Sequence, residues 1–205
     1  MITLYHRPFT RSSAIRWLLE EIGQPYEVRL VDIYKGEGKT GELSKHNPSG
    51  KVPTLVHDGV AITESVAISL YLADRFPAAR LAPAADAPER GPYLRWHIYR
   101  AAVIEPHFML TAAKTELPLE NPGMAGWGDR ATMVSTLKDA LARGPYLFGD
   151  WFTAADVSVG SAIRWGLFQK LLPAEPEFQR YADALNARPA VQRANALDKA
   201  ALESA

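Results

Sequence analysis

The stretch KVPTLVHDGVAITESVAISLYLADRFP, Lys51 to Pro77, reads as two short apolar strands, a tight turn and an amphipathic helix. TLVH and VAIT are separated only by Asp58-Gly59, a pairing that suits a type I′ turn and so predicts a hairpin. The helix is predicted from about Glu64 to Phe76, with an acid and a hydroxyl, Glu64 and Ser65, at its start. Pro53 stands where the first strand begins, a position where the missing amide hydrogen ends the ladder.

Upstream, Ile2 to Tyr5 and Glu27 to Val31 read as strands around a helix in which Ile15, Leu18, Leu19 and Ile22 recur at helical spacing. Gly23 is placed to cap that helix. YKGEGKTGELSKHNPSG, with four glycines, holds at most a short helix and is mostly loop. The order strand, helix, strand, loop, hairpin, helix predicts an α/β unit with a four-stranded mixed sheet over residues 1–76. Residues 77–88 carry three prolines and read as a linker. Residues 89–205 show helical spacing without convincing strands, so an all-helical domain is expected there. Pro106 is expected to bend or interrupt its first helix, and PLENPGMAGWG is read as a loop.

Composition narrows the function. With 205 residues and 47% hydrophobic content the chain buries a substantial core. Its 23 basic residues equal its 23 acidic ones, with no long block of one sign, which argues against a nucleic-acid or membrane-surface partner. No apolar run reaches the roughly 20 residues that span a bilayer, and the opening MITLYHRPFT has no signal-peptide character, so a cytoplasmic location is expected. There is no cysteine, so disulfides, thiolate metal sites and a cysteine nucleophile are absent. Any sulfur chemistry must use the substrate's sulfur. His97 and His107, with Glu105 nearby, lack an evident third ligand, and no metal is expected.

In the helical half, Thr153 and Asp156 form a capping signal, with Phe152 placed to staple onto Val157; both polar residues are read as structural. NPSGKVPTL leading into the hairpin, ITESVAISLYL after it, and TAAD in the helical half together resemble the soluble glutathione transferases. The resemblance spans nearly the whole chain and implies a thioredoxin-like N-terminal domain and an all-helical C-terminal domain. It also implies glutathione as co-substrate, a small hydrophobic electrophile as second substrate, a detoxifying role and a homodimer.

A helix N-terminus offers free amide groups and a positive dipole end, so Ser65 suits a carboxylate, and Glu64 beside it suits an ammonium group. Together they describe an amino-acid head group such as the γ-glutamyl end of glutathione. Glu64 also fits ordinary placement near a helix start. By the resemblance, Pro53 is cis and Val52 pairs through its backbone with the cysteinyl part of glutathione. Lys51 is a candidate for the glycyl carboxylate and Lys39 a second, although either also reads as solvated surface.

A free thiol of pKa near 8.5 is only about 3% ionised at pH 7, so catalysis needs a donor to the thiolate. RPFTRSSAIRW lies between the first strand and helix, where families of this type carry their catalytic Ser, Tyr or Cys. Ser12 is the first choice, by its spacing from Arg16 and its place near the helix start; Thr10 and Ser13 follow, and Tyr5 fits less well. Ser12 or Ser13 equally fits a plain helix cap. Tyr99, Phe108 and Trp165 are candidates to line an electrophile pocket or simply to fill the core. Transfer of glutathione is the expected activity. A glutathione-dependent isomerase or lyase, or a non-catalytic binding protein on the same fold, would share these residues.

Overall fold

A computed structural model describes residues 1–115 and 122–203. The chain divides into two compact units, Met1–Leu81 with Ala187–Ala205, and Ala82–Asn186.

In the first unit, β1 (Ile2–His6) runs parallel to β2 (Tyr26–Leu30) and antiparallel to β3 (Thr54–His57), which pairs with β4 (Val60–Thr63). The sheet is four-stranded and mixed, in the order β2-β1-β3-β4. Asp58 and Gly59 both take positive φ, as a type I′ turn requires. Helices α1 (Ser12–Ile22) and α4 (Ser65–Arg75) pack together, and Leu4, Ile15, Leu18, Leu55, Ile68 and Leu72 are fully enclosed. Gly23 closes α1 in the left-handed conformation, its amide returning to the Leu19 carbonyl. The glycine-rich segment holds two single-turn helices, α2 (Glu37–Thr40) and α3 (Leu43–His46).

The last helix, α10 (Pro189–Glu203), was expected with the helical half but groups with this unit. Its contacts with α1 explain the difference. Arg188, just before it, grips Glu21 with two hydrogen bonds of 2.7 and 2.8 Å, and Arg193 reaches Glu20 at 2.9 Å. Ala190, Val191 and Ala194 are buried.

The second unit contains α5 (Arg90–Tyr99), a π-helical stretch Arg100–Ile104, α6 (Glu105–Ala112), α7 (Arg130–Leu141), α8 (Ala154–Phe168) and α9 (Pro176–Asn186). The interruption expected at Pro106 takes the form of the π stretch just before it, which leaves Pro106 in the first turn of α6, where its missing amide hydrogen costs least. Helix α8 ends at Phe168, beyond which Lys170 turns left-handed and the Leu171 amide returns to the Gly166 carbonyl at 2.7 Å. Thr153 and Asp156 form the capping box, and Asp156 also accepts hydrogen bonds from Leu147 N and Tyr181 Oη. Of the loop expected at 118–128, residues 118–121 lie outside the described residues.

Candidate functional site

Strand register brings three segments to one end of the first unit's sheet. Tyr5 pairs with Thr54, and Thr54 with Thr63. The chain therefore leaves β1 through Arg7–Arg11, enters β3 through Lys51–Pro53 and leaves β4 into Glu64–Ser65 at that same end.

The Val52–Pro53 peptide is cis. Ahead of it, buried Asn47 donates from Nδ2 to the Lys51 carbonyl and to Thr54 Oγ1, both at 3.0 Å, and accepts from the Ser49 amide. This fastening of the loop was missed by the sequence reading, although Asn-Pro-Ser-Gly is a recognisable Asx-turn signal. Lys51 is exposed, with Val52 buried beside it. The Lys39 stem lies over Gly50, where a Cβ would meet its Cγ at 2.7 Å, so both candidate lysines belong to this loop.

Glu64 is exposed and has φ 68° and ψ 119°, an unusual conformation for a residue with a side chain. Such strain persists only where the surroundings impose it, and it concentrates at functional sites. Ser65 opens α4.

In the β1–α1 loop, Ser12 is 0% exposed. Its Oγ lies 2.7 Å from His6 Nδ1 and 2.8 Å from Thr10 Oγ1, and it accepts from the Arg7 amide at 3.1 Å. Thr10 is half-buried and stands one step further out, its Oγ1 also within 2.8 Å of the Arg7 carbonyl. Ser13 instead donates to Asp198 and accepts from the Phe9 amide. Tyr5 lies apart from the loop hydroxyls, in a cluster with Val31, Leu43 and Val52. Burial and nearby Glu42 push its phenol above the ordinary range, which does not suit an ionising role.

Asp198, 1% exposed on α10, accepts from His6 Nε2 at 2.9 Å and from Arg16 Nη1 at 3.0 Å. Burial pushes its carboxyl up, but hydrogen bonds from His6, Ser13 and Arg16 outweigh this and hold it below the usual carboxylate range. Neither His6 nor Asp198 was singled out from the sequence, because nothing local marks a buried strand-end histidine or an acid at a helix end as partners.

In the second unit, Phe108 is core, with its ring centroid 5.9 Å from that of exposed Trp165, while Tyr99 is half-buried against Trp96. Among the described residues, no group of three or more His, Asp or Glu side chains is placed to hold a metal ion.

A mixed four-stranded sheet with a cis proline before its hairpin, joined to a helical unit, defines a thioredoxin-like class of two-domain protein. Residues 1–74 match the glutathione S-transferase N-terminal domain family. A glutathione S-transferase of Xanthomonas campestris is 31% identical over 79% of this chain and 81% of its own length. Maleylacetoacetate isomerase of Aspergillus fumigatus is 33% identical over 95% of this chain and 90% of its own. A glutathione transferase homologue from Sulfitobacter, crystallised with bound glutathione, superposes with TM-score 0.76 at 26% identity, covering 98% of each chain. The chain belongs to the glutathione transferase family.

Proposed function

We propose that this protein ionises the thiol of glutathione and transfers the thiolate to an electrophilic carbon of a small hydrophobic compound. The supporting observation is the convergence at one sheet end of an exposed carboxylate and helix start at Glu64-Ser65, the Val52 backbone, and paired hydroxyls at Thr10 and Ser12. These groups fit the parts of glutathione. Glu64 suits the α-ammonium, Ser65 the α-carboxylate, the Val52 amide and carbonyl the cysteinyl backbone, and Lys51 the glycyl carboxylate. Bound glutathione would supply the nucleophilic sulfur. Ser12 is enclosed, so direct contact with the sulfur falls to Thr10, with Ser12 next in line behind it. The second substrate is held by the helical domain, for which Tyr99 and Trp165 are the accessible aromatic candidates. Cytoplasmic detoxification by a homodimer belongs to the same reading, and a monomeric mass by light scattering at micromolar concentration would count against the dimer.

Calorimetric titration with glutathione, followed by assays against aryl halides, peroxides and cis-dienoic acids, tests the reading. Saturable binding with conjugation of an aryl halide is the expected result; absence of binding overturns it. The Aspergillus relative's name favours one second reading, glutathione-dependent isomerisation. Turnover of a cis-dienoic acid with no net consumption of glutathione would select it.

A further inference from the structure

The β1–α1 loop hydroxyls do not end in solvent on their inner side. Thr10 Oγ1 meets Ser12 Oγ at 2.8 Å, Ser12 meets His6 Nδ1 at 2.7 Å, and His6 Nε2 meets Asp198 at 2.9 Å. We propose that His6, oriented by Asp198 of the C-terminal helix, receives the glutathione proton through Ser12 and Thr10. This rests on the reading above that Thr10 faces the glutathione sulfur.

An ionised carboxylate only accepts, so the proton of the neutral imidazole sits on Nε2 and the lone pair on Nδ1 faces Ser12. The relay then balances. The thiol gives its proton to Thr10, Thr10 passes its own to Ser12, and Ser12 passes its own to Nδ1, both hydroxyls first turning from the Arg7 carbonyl, which lies 2.8 Å from Thr10 Oγ1 and 2.9 Å from Ser12 Oγ. One S–H bond breaks and one N–H bond forms. Afterwards every donor in the chain points outward toward the thiolate, and the imidazolium is paired with Asp198. Such chains polarise cooperatively in a dry setting, and His6 and Ser12 are both fully enclosed.

The charged side chains on this ring from neighbouring elements are Asp198 of α10 and, through it, Arg16 of α1. Hydrogen bonds from His6, Ser13 and Arg16 hold that carboxyl below the usual carboxylate range. His6 and Asp198 touch no substrate atom in this scheme; they act through the two hydroxyls.

The test uses the full chain and three variants. Asp198→Asn is nearly isosteric but can donate to Nε2, which permits the wrong tautomer; His6→Gln removes the base that takes up the proton, although its amide oxygen can still accept from Ser12, and leaves Asp198 with Arg16 and Ser13. Arg193→Ala loosens α10 from α1 at a point outside the chain. Titrating the ultraviolet absorbance of the bound thiolate should show its midpoint rising by about one pH unit in Asp198→Asn and His6→Gln, roughly a tenfold smaller thiolate fraction at neutral pH. Arg193→Ala should keep the parental midpoint. Affinity for S-methylglutathione, which has no thiol, should change by less than about twofold throughout. In the parent, glutathione binding enthalpy near neutral pH should not vary with the buffer's ionisation enthalpy, because the proton stays on the protein.

Release of one proton to the buffer for each thiolate formed by the parent overturns the relay, as does a parental midpoint in His6→Gln. An equal rise in Arg193→Ala also overturns it, since loosening of the helix then suffices. If Asp198→Asn does not fold, His6→Gln decides. A parent that binds no glutathione removes the proposed function and this inference together; a parent that binds and ionises it while the variants behave identically removes the inference alone.

Discussion

Gly38 and Gly50 touch backbone to backbone: a Cβ on Gly38 would lie 2.1 Å from the Gly50 carbonyl oxygen. Gly50 leads directly into Lys51-Val52, so this contact sets the position of the segment proposed to hold the cysteinyl backbone. Gly38→Ala should push the segment 47–53 outward and weaken glutathione and S-methylglutathione alike, by roughly tenfold or more, since displacements near 1 Å have effects of that order. Calorimetry on the variant checks this, and an unchanged affinity would show that the loop absorbs the methyl group elsewhere.

Glu64 separates stability from binding. Its φ of 68° is one that glycine adopts freely and other residues resist. Glu64→Gly should relieve strain on the order of 1–3 kcal/mol, partly offset by the greater freedom of glycine in the unfolded chain. It should melt at or above the parent temperature yet bind glutathione at least tenfold more weakly, the loss of about one charge-assisted hydrogen bond. Glu64→Ala keeps the strain and should bind equally weakly without the gain in stability. Parental affinity in both variants would remove Glu64 from the head-group site.

Thr10 and Ser12 should give different signatures. Thr10→Ala removes a half-buried hydroxyl, so the fold should hold while the thiolate-dependent rate at neutral pH falls roughly tenfold to a hundredfold. The rate should recover as pH rises and solvent ionises the sulfur. Ser12→Ala should combine that defect with a loss of about 1–3 kcal/mol of stability, because His6 Nδ1 and the Arg7 amide lose a buried partner. Denaturant titrations beside pH–rate profiles distinguish the two. A pH-rescued defect in Ser13→Ala or Tyr5→Phe, with Thr10→Ala behaving like the parent, would relocate the donor.

Asp156 makes a pH-dependent contribution to stability. Burial pushes its carboxyl up to about 6, against hydrogen bonds from Leu147, Thr153 and Tyr181 that oppose the shift. The folded state then holds a proton between pH 3.8 and about 6 that the unfolded chain releases, so this group's contribution is greatest below that window and declines as pH rises through it. At about 1.4 kcal/mol per pH unit the change is on the order of 3 kcal/mol. Asp156→Asn should be less stable than the parent, with a deficit that shrinks as pH rises from 4 toward 6. Urea midpoints at several pH values measure this; a deficit that grows would mean the carboxylate is held ionised. Asp198 acts in the opposite direction: its lowered value contributes stability at neutral pH that is lost as pH falls below the ordinary carboxylate range.

Local chemistry was legible in the sequence wherever neighbours in the chain are also neighbours in space. Asp58-Gly59 specified a two-residue turn, Ile15 to Ile22 the buried face of α1, Gly23 its end, and Thr153 with Asp156 a capping box, because each is settled within a few residues by backbone geometry. The pairing of Val-Pro with Glu-Ser across a hairpin likewise marked one end of the sheet. The sequence put Ser12 ahead of Thr10 and Ser13 on its spacing from Arg16, but spacing does not say which hydroxyl is enclosed, since a one-residue step along a loop rotates a side chain from solvent to core. Packing of α10 against α1 decided which is enclosed, directing Ser13 to Asp198 and Ser12 to His6 and leaving Thr10 half-buried beside Ser12. His6 and Asp198 are 192 positions apart, and Gly38 and Gly50 meet only after two short helical turns fold back. Such contacts depend on the closure of long loops around a common core, and no local preference encodes which residues will face each other when that closure is complete.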